Sequence, residues 1–228
     1  MKKPVIAIDG YSSTGKSSIS KIIAEKLGIV HLDTGALYRG ITWFALQNCA
    51  DDDGSINLQE LFKSFQIIKL EFKKVEDELV LYLNHKNISK EIRSAEVSEN
   101  VSLIAKQKEV RDFLLETQRS IARNGGVIMD GRDIGTVVLP DADFKFFLTA
   151  SIDERTKRRY NELLAMGLES NEAQVKENLI ARDKIDSERE IAPLKQAEDA
   201  ILIDNTKMTK SQTIDAILLQ ITKINTFY

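Results

Sequence analysis

The sequence predicts an α/β fold, a parallel sheet with helices on both faces. Apolar, strand-like segments recur at residues 4–9, 29–32, 127–130, 144–149 and 201–204, mostly with helical patterns between them. Their carboxyl ends carry Asp9, Asp33, Asp130 and Asp204, and in such sheets ligands collect beyond those ends. A turn or helix-capping role fits each of these aspartates as well as catalysis does, because aspartate is common after strands for local reasons.

The first strand runs into Gly10-Tyr11-Ser12-Ser13-Thr14-Gly15-Lys16-Ser17-Ser18. Two glycines separated by four residues, then Lys, then Ser, form the pattern of a phosphate-binding loop. The glycine-rich turn lets backbone N–H groups converge on phosphate oxygens, and the following helix aims its partial positive end at the same place. Lys16 adds a point charge for the β and γ phosphates. The Ser17 hydroxyl is a hard oxygen ligand for Mg²⁺. Ile19, Ile22, Ile23 and Leu27 follow at helical spacing, so the stretch reads as strand, loop and helix around a nucleoside triphosphate.

Further along, Cys49 lies in an apolar helical pattern (Ile41, Trp43, Phe44, Leu46) where burial is its expected role. Residues 51–95 interrupt the alternation. An acidic turn, Asp51-Asp52-Asp53-Gly54, leads to a short amphipathic segment and two strand-like runs, Ile67 to Phe72 and Leu79 to Leu83. The charged turn Lys74 to Glu78 joins them, as in an inserted hairpin. From Glu96 to Arg123 one long helical pattern (Val97, Val101, Ile104, Val110, Leu114, Ile121) returns to the sheet and ends at Asn124-Gly125-Gly126.

Arg155, Lys157, Arg158 and Arg159 share a helical pattern, and Arg182 and Arg189 flank Asp183, Asp186 and Glu188. Guanidinium groups stabilise the charge that phosphoryl transfer spreads over oxygens, so an arginine-bearing segment is expected near the loop. Like charges without enough local partners predict that residues 153–189 move until nucleotides bind.

Over 228 residues, 32 basic and 35 acidic side chains leave a net charge of −3, which argues against nucleic acid or membrane engaged through bulk charge. One cysteine and two histidines, His31 and His85, give little material for a zinc site. The apolar stretch after the two amino-terminal lysines is cut short by Asp9, unlike a secretion signal, and no apolar run approaches a membrane span. A soluble protein of a reducing cytoplasm is expected.

Three further stretches bear on the acceptor: Leu32-Asp33-Thr34-Gly35-Ala36-Leu37-Tyr38-Arg39, then Met129-Asp130-Gly131-Arg132-Asp133-Ile134-Gly135-Thr136-Val137-Val138, then Arg182-Asp183 through Arg189-Glu190-Ile191-Ala192-Pro193-Leu194. With the phosphate loop, and in the same order and spacing, they resemble the bacterial cytidylate kinases, within the P-loop nucleoside monophosphate kinases. The Gly-Arg-Asp-Ile-Gly-Thr stretch is the most specific. The resemblance implies a P-loop NTPase-type three-layer fold with a five-stranded parallel sheet and a helical lid. It implies one domain with a core at 1–50, 96–150 and 190–228, a β-containing monophosphate-binding insert at 51–95, and a lid at 151–189.

The activity implied is transfer of the γ-phosphoryl group of ATP, with Mg²⁺, to CMP or dCMP, by a cytoplasmic monomer that engages neither nucleic acid nor membrane. Carried onto this chain, residues Gly10 to Ser18 hold the donor phosphates, with Lys16 catalytic and Ser17 on the metal. Arg39 and Arg132 hold the acceptor phosphate beside Thr34 and Tyr38, while Ser102, Arg111 and Asp133 read the cytosine edge. Arg182 and Asp186 meet the ribose and bridge toward the phosphates. Arg189 neutralises charge between donor and acceptor, and Arg155 and Arg159 close over ATP. The residues agree in kind, since an acceptor phosphate needs bidentate cations and a cytosine amino group needs a hydrogen-bond acceptor. Two positions depart from the family pattern: Tyr11 stands where Pro is common, raising the question of loop rigidity, and Ser17 where Gly is common.

Taken alone, the residues also leave open a kinase for UMP, a nucleoside or shikimate, a nucleotide-dependent switch, and a silent nucleotide-binding module. The switch lacks an Asn-Lys-x-Asp segment for guanine.

Overall fold

The structure, a computed structural model, describes residues 3–75 and 78–225, so the tip of the expected 74–78 turn lies outside the described residues. In chain order the elements are β1 (Val5–Gly10), α1 (Lys16–Leu27), β2 (Val30–Asp33), α2 (Thr34–Asn48), α3 (Leu58–Lys63), β3 (Leu70–Val75), β4 (Glu78–Leu83), β5 (Lys86–Asn87), α4 (Ala95–Ala105), α5 (Lys108–Ala122), β6 (Val127–Gly131), β7 (Phe144–Thr149), α6 (Ile152–Ala165), α7 (Glu172–Glu188), β8 (Ile201–Asp204) and α8 (Lys210–Asn225). Among the described residues, no helix is long and apolar enough to cross a membrane.

The five expected strands form one parallel sheet in the order β2-β6-β1-β7-β8. Central β1 pairs in parallel with β6, Ile6 beside Ile128, and with β7, Ile8 beside Phe146. These strands are buried along almost their whole length, which is why they read as continuous apolar runs without alternation.

By its contacts the chain forms two compact units, one built from the chain up to Leu32 together with the chain from Ile121, the other from Asp33–Ser120. Each has its own core. In the first, Ile6, Ile8, Ile128, Phe146 and Leu148 of the sheet pack with Ile19 and Ile23 of α1 and Ile217 of α8. In the second, Leu37 and Ile41 of α2, Ile104 of α4 and Leu114 of α5 pack with Leu61, Leu81 and Ile88. The second unit therefore reaches beyond residues 51–95 on both sides, because α2 and α4 turn their apolar faces to the β3-β4-β5 sheet and its flanks. Cys49 is buried in this core as expected.

Two local features differ from the sequence expectation. The hairpin carries a third strand, β5, of two exposed residues paired to β4, too short to leave a pattern in the sequence. The helix expected over 96–123 is two helices, broken at Lys106 and Gln107 without Pro or Gly. The break is held by Arg111, whose guanidinium reaches back to donate to the Ala105 carbonyl at 3.1 Å and so satisfies an acceptor that the end of α4 would otherwise leave open.

At the end of β1, Gly10 adopts φ +147°, and a Cβ there would stand 2.0 Å from the Leu148 carbonyl oxygen of β7. Only glycine lets the strand turn into the loop at this distance. Gly10→Ala is expected to lose at least about 3 kcal/mol of stability, through overpacking against backbone and an unfavourable φ. Urea denaturation measures it, and wild-type stability would mean that β1 and β7 do not approach this closely.

Candidate active site

The loop between β1 and α1 is shaped by its own bonds. Gly15, at φ +88°, caps α1 with no side-chain hydrogen bond, and the first helical turn carries no acidic residue. Its amino end therefore remains open to an anion, as the motif requires. Thr14 Oγ1 donates to the Tyr11 carbonyl at 3.0 Å, and Ser18 Oγ to the Gly15 carbonyl at 3.0 Å. Ser13 holds φ +59°, a left-handed conformation uncommon outside glycine.

Lys16 is buried rather than projecting from the loop: its Nζ donates to the Tyr11 carbonyl at 2.5 Å and lies 3.4 Å from Thr14 Oγ1. Burial first, and then the Arg132 charge, push its ammonium well below the ordinary lysine range. A phosphate entering the loop would meet that group in a largely buried setting.

Ser17 Oγ donates to Asp130 Oδ2 at 2.5 Å, and the other oxygen of that buried carboxylate lies 2.6 Å from His31 Nε2. A hydroxyl beside a carboxylate at the head of a phosphate loop is the hard oxygen donor set that Mg²⁺ takes when it also binds substrate phosphates. The residues present fit the metal, and Asp130 joins Ser17 as a candidate ligand.

Beyond the loop, a series of charged side chains runs without a gap. Arg132 donates through Nη2 to Ser12 Oγ at 2.7 Å and through Nε to Asp186 Oδ2 at 2.9 Å. Asp186 Oδ1 lies 3.8 Å from Arg189 Nη1, and Arg189 Nη2 donates to Asp133 Oδ1 at 3.3 Å. Arg189 also donates to the Ala192 carbonyl at 2.7 Å. Asp186, Arg189 and Asp133 are buried, and Arg182 is half-buried on α7, one turn before Asp186.

The basic cluster divides by role. Arg155 is buried and held on several sides: it donates to the Ala150 carbonyl, to the Ser12 carbonyl and, at 2.6 Å, to Asp183, while its guanidinium lies 5.2 Å from the centre of the Tyr11 ring. Tyr11 in turn packs edge-on against Phe147, so the position where Pro was expected is anchored by aromatic and cation–π contacts. Arg159 pairs with Glu162 at 2.9 Å. Arg158, which the sequence offered only as a member of the cluster, bonds Asn205 twice and Glu154 once. It lines an open cleft of ≈ 220 Å³ with Thr14, Asn205, Met208 and Thr213. The premise that these arginines lack local partners is thus wrong: Arg155, Arg158, Arg159 and Arg189 each meet a carboxylate, and repulsion gives no reason for residues 153–189 to move.

Within the second unit, Arg39 donates to Asp33 Oδ2 at 2.5 Å. Gly35 leaves room for that pair, since a Cβ there would stand 2.9 Å from Arg39 and 3.0 Å from Asp33. Thr34 and Tyr38 are buried on α2, and Ser102 is buried on α4. The Arg111 guanidinium lies over the Tyr38 ring at 5.2 Å.

Asp9, near the end of β1, is buried, and burial is the main force that lifts its carboxyl to about 7, against the pull of bonds from the Ile134 and Gly135 N–H groups. These bonds are 2.8 and 2.7 Å long.

A strand, a glycine-rich loop closing on a helix, a buried loop lysine and an arginine–carboxylate series beside it define a P-loop phosphotransferase. The family model described as "Cytidylate kinase" matches residues 6–223. Curated cytidylate kinases of Bacillus thuringiensis (strain Al Hakam) and Bacillus anthracis (strain A0248) are 44% identical to this chain over 217 residues, covering 95% of both chains in each case. The chain belongs to the cytidylate kinase family. Among solved structures, an uncharacterized protein from Eubacterium ventriosum shares the fold at a TM-score of 0.53 and 13% identity, covering 97% of this chain and 99% of its own.

The Asp9 carboxyl sets a pH dependence of stability. Its folded value lies above its unfolded one, so its contribution is complete below the ordinary carboxylate range and is lost as pH rises through about 7. Between pH 5 and 8 the melting temperature of the wild type should fall by at least about 3 °C more than that of Asp9→Asn. Parallel curves from calorimetry at the two pH values would contradict this.

Proposed function

We propose that this chain transfers the γ-phosphoryl group of ATP to CMP or dCMP, giving ADP and CDP or dCDP, as a cytoplasmic monomer. The observation that carries the proposal is the series of hydrogen bonds and ion pairs from Ser12 through Arg132, Asp186 and Arg189 to Asp133. It joins the donor's loop to a buried carboxylate through the cations that transfer between two anions requires.

In this reading the residues Gly10 to Ser18 cradle the donor phosphates, and the Lys16 ammonium turns from the Tyr11 carbonyl to the β and γ oxygens. Ser17 and Asp130 would hold Mg²⁺, which screens the phosphate charge when bound. The cleft beside Arg158 and Asn205 takes the donor base. Arg155 acts from behind the loop, fixing Tyr11 and Ser12, and Arg159 remains a cation at the rim.

Arg132 and Arg39 hold the acceptor phosphate, with Thr34 and Tyr38 beside Arg39. Asp133, Ser102 and Arg111 read the base, while Arg182 and Asp186 meet the ribose. Arg189 changes partner, from Asp133 to the oxygens of the group in transfer. The barrier falls through positioning and cancelled repulsion, which is how phosphoryl transfer is ordinarily catalysed. Cytosine offers an amino donor at position 4 that a carboxylate accepts, whereas uracil presents a carbonyl there, acceptor against acceptor.

Two measurements test this. In an ADP-release assay with CMP, dCMP, UMP and AMP, kcat/KM for CMP should exceed that for UMP by at least about 10²-fold, with Asp133→Ala losing most of the difference. Equal use of UMP and CMP by the wild type, or an intact preference in the variant, would remove Asp133 from the base site. Lys16→Ala should lower kcat by at least about 10²-fold. Its hydrogen bonds are with the loop alone, so melts should stay close to wild type, and an equally active variant would sink the assignment.

A further inference from the structure

We infer that Asp9, which touches neither nucleotide in the proposed arrangement, is the positioning residue for base selection: its carboxylate fixes the backbone that presents Asp133. The inference rests on the reading of Asp133 as the base-contacting group and goes beyond it by naming what holds that group in place.

The chain after Asp133 enters a single π-helical turn, Ile134–Val138, an uncommon element found mostly where function constrains the backbone. The Asp133 carbonyl accepts from both Val137 and Val138 N–H, at 2.9 and 3.2 Å, and the Ile134 carbonyl accepts from Leu139 N–H at 2.7 Å. The turn's first N–H groups, on Ile134 and Gly135, have no carbonyl behind them to bond, and both residues are buried. The two oxygens of Asp9, on the neighbouring strand β1, accept one each, at 2.8 and 2.7 Å.

The chemistry of this contact selects a carboxylate. Two consecutive buried donors need two acceptors, and a carboxyl group can accept on both of its oxygens, whereas an amide would aim its NH₂ at one of the N–H groups. The strand fixes the carboxylate, since Asp9 stands in register with Gly131 of β6, two residues before Asp133. Space is limited as well. A Cβ on Gly135 would stand 3.4 Å from Asp9 Oδ2 and 3.2 Å from Lys145 Cδ, so a larger residue there would crowd the Lys145 side chain beside the contact.

Asp133 is thereby fixed twice, by Asp9 through its backbone and by Arg189 through its side chain. Only the first constraint remains when Arg189 turns to a phosphate. Aspartate contacts of this supporting kind hold a reacting or recognising group within the tolerance its hydrogen bonds allow.

The test uses the full chain with Asp9→Asn and, separately, Gly135→Ala, which crowds Lys145 beside the same contact. Melts establish folding, and steady-state kinetics are run with CMP and with UMP at varied ATP. The expected result is a loss of at least about 10-fold in the CMP over UMP preference and a rise in KM for CMP, with KM for ATP within about 3-fold of wild type. A support that is merely structural would lower stability and reduce both substrates' parameters together, and that outcome overturns the inference. So does an undiminished preference in the variants when the wild type discriminates. A wild type that uses UMP as well as CMP overturns the reading of Asp133 itself, and the inference with it.

Discussion

Buried opposite charges set within reach of one another govern this structure. Asp133, Asp186 and Arg189 are withdrawn from water, and each has the next of opposite sign within reach. Such a series adds little to stability, since desolvation offsets most of the attraction, but removing one member leaves an uncompensated charge. Its value is positional. Arg132 ties it to Ser12 in the phosphate loop, so the groups proposed for the acceptor inherit the rigidity of β1 and of the loop that follows it.

The loop shows the same logic at shorter range. Lys16 bonds its own loop's carbonyl, and Arg155 clamps Tyr11 and Ser12 from behind while pairing with Asp183 of α7. Nucleotide phosphates would thus exchange one set of partners for another rather than order a free charge, and little reorganisation remains for the moment of reaction.

Much of this was legible in the sequence. The three central sheet strands could be read because burial on both faces leaves continuous runs such as Val5 to Ile8, and the phosphate loop because backbone convergence on an anion demands Gly10 and Gly15. The break between α4 and α5 was not legible, since no breaker marks it and its cause is a side chain, Arg111, bonding six residues back. Charge identity also failed to separate Arg155 from Arg158: both sit in one basic run, and only the fold buries the first and places the second on the cleft. Asp9 was visible as a carboxylate at a strand end, yet its partners lie more than a hundred residues away, a distance no local pattern spans.

The central claim is that the series from Ser12 to Asp133 acts as one unit on the acceptor. A double-mutant cycle on kcat/KM for CMP, with Ser12→Ala and Asp186→Asn singly and together, tests it most directly, because both residues grip Arg132 from opposite sides. The account predicts non-additivity, with a coupling of about 1 kcal/mol or more. Effects that add, within about 0.3 kcal/mol, would show that the two contacts act independently and would contradict it.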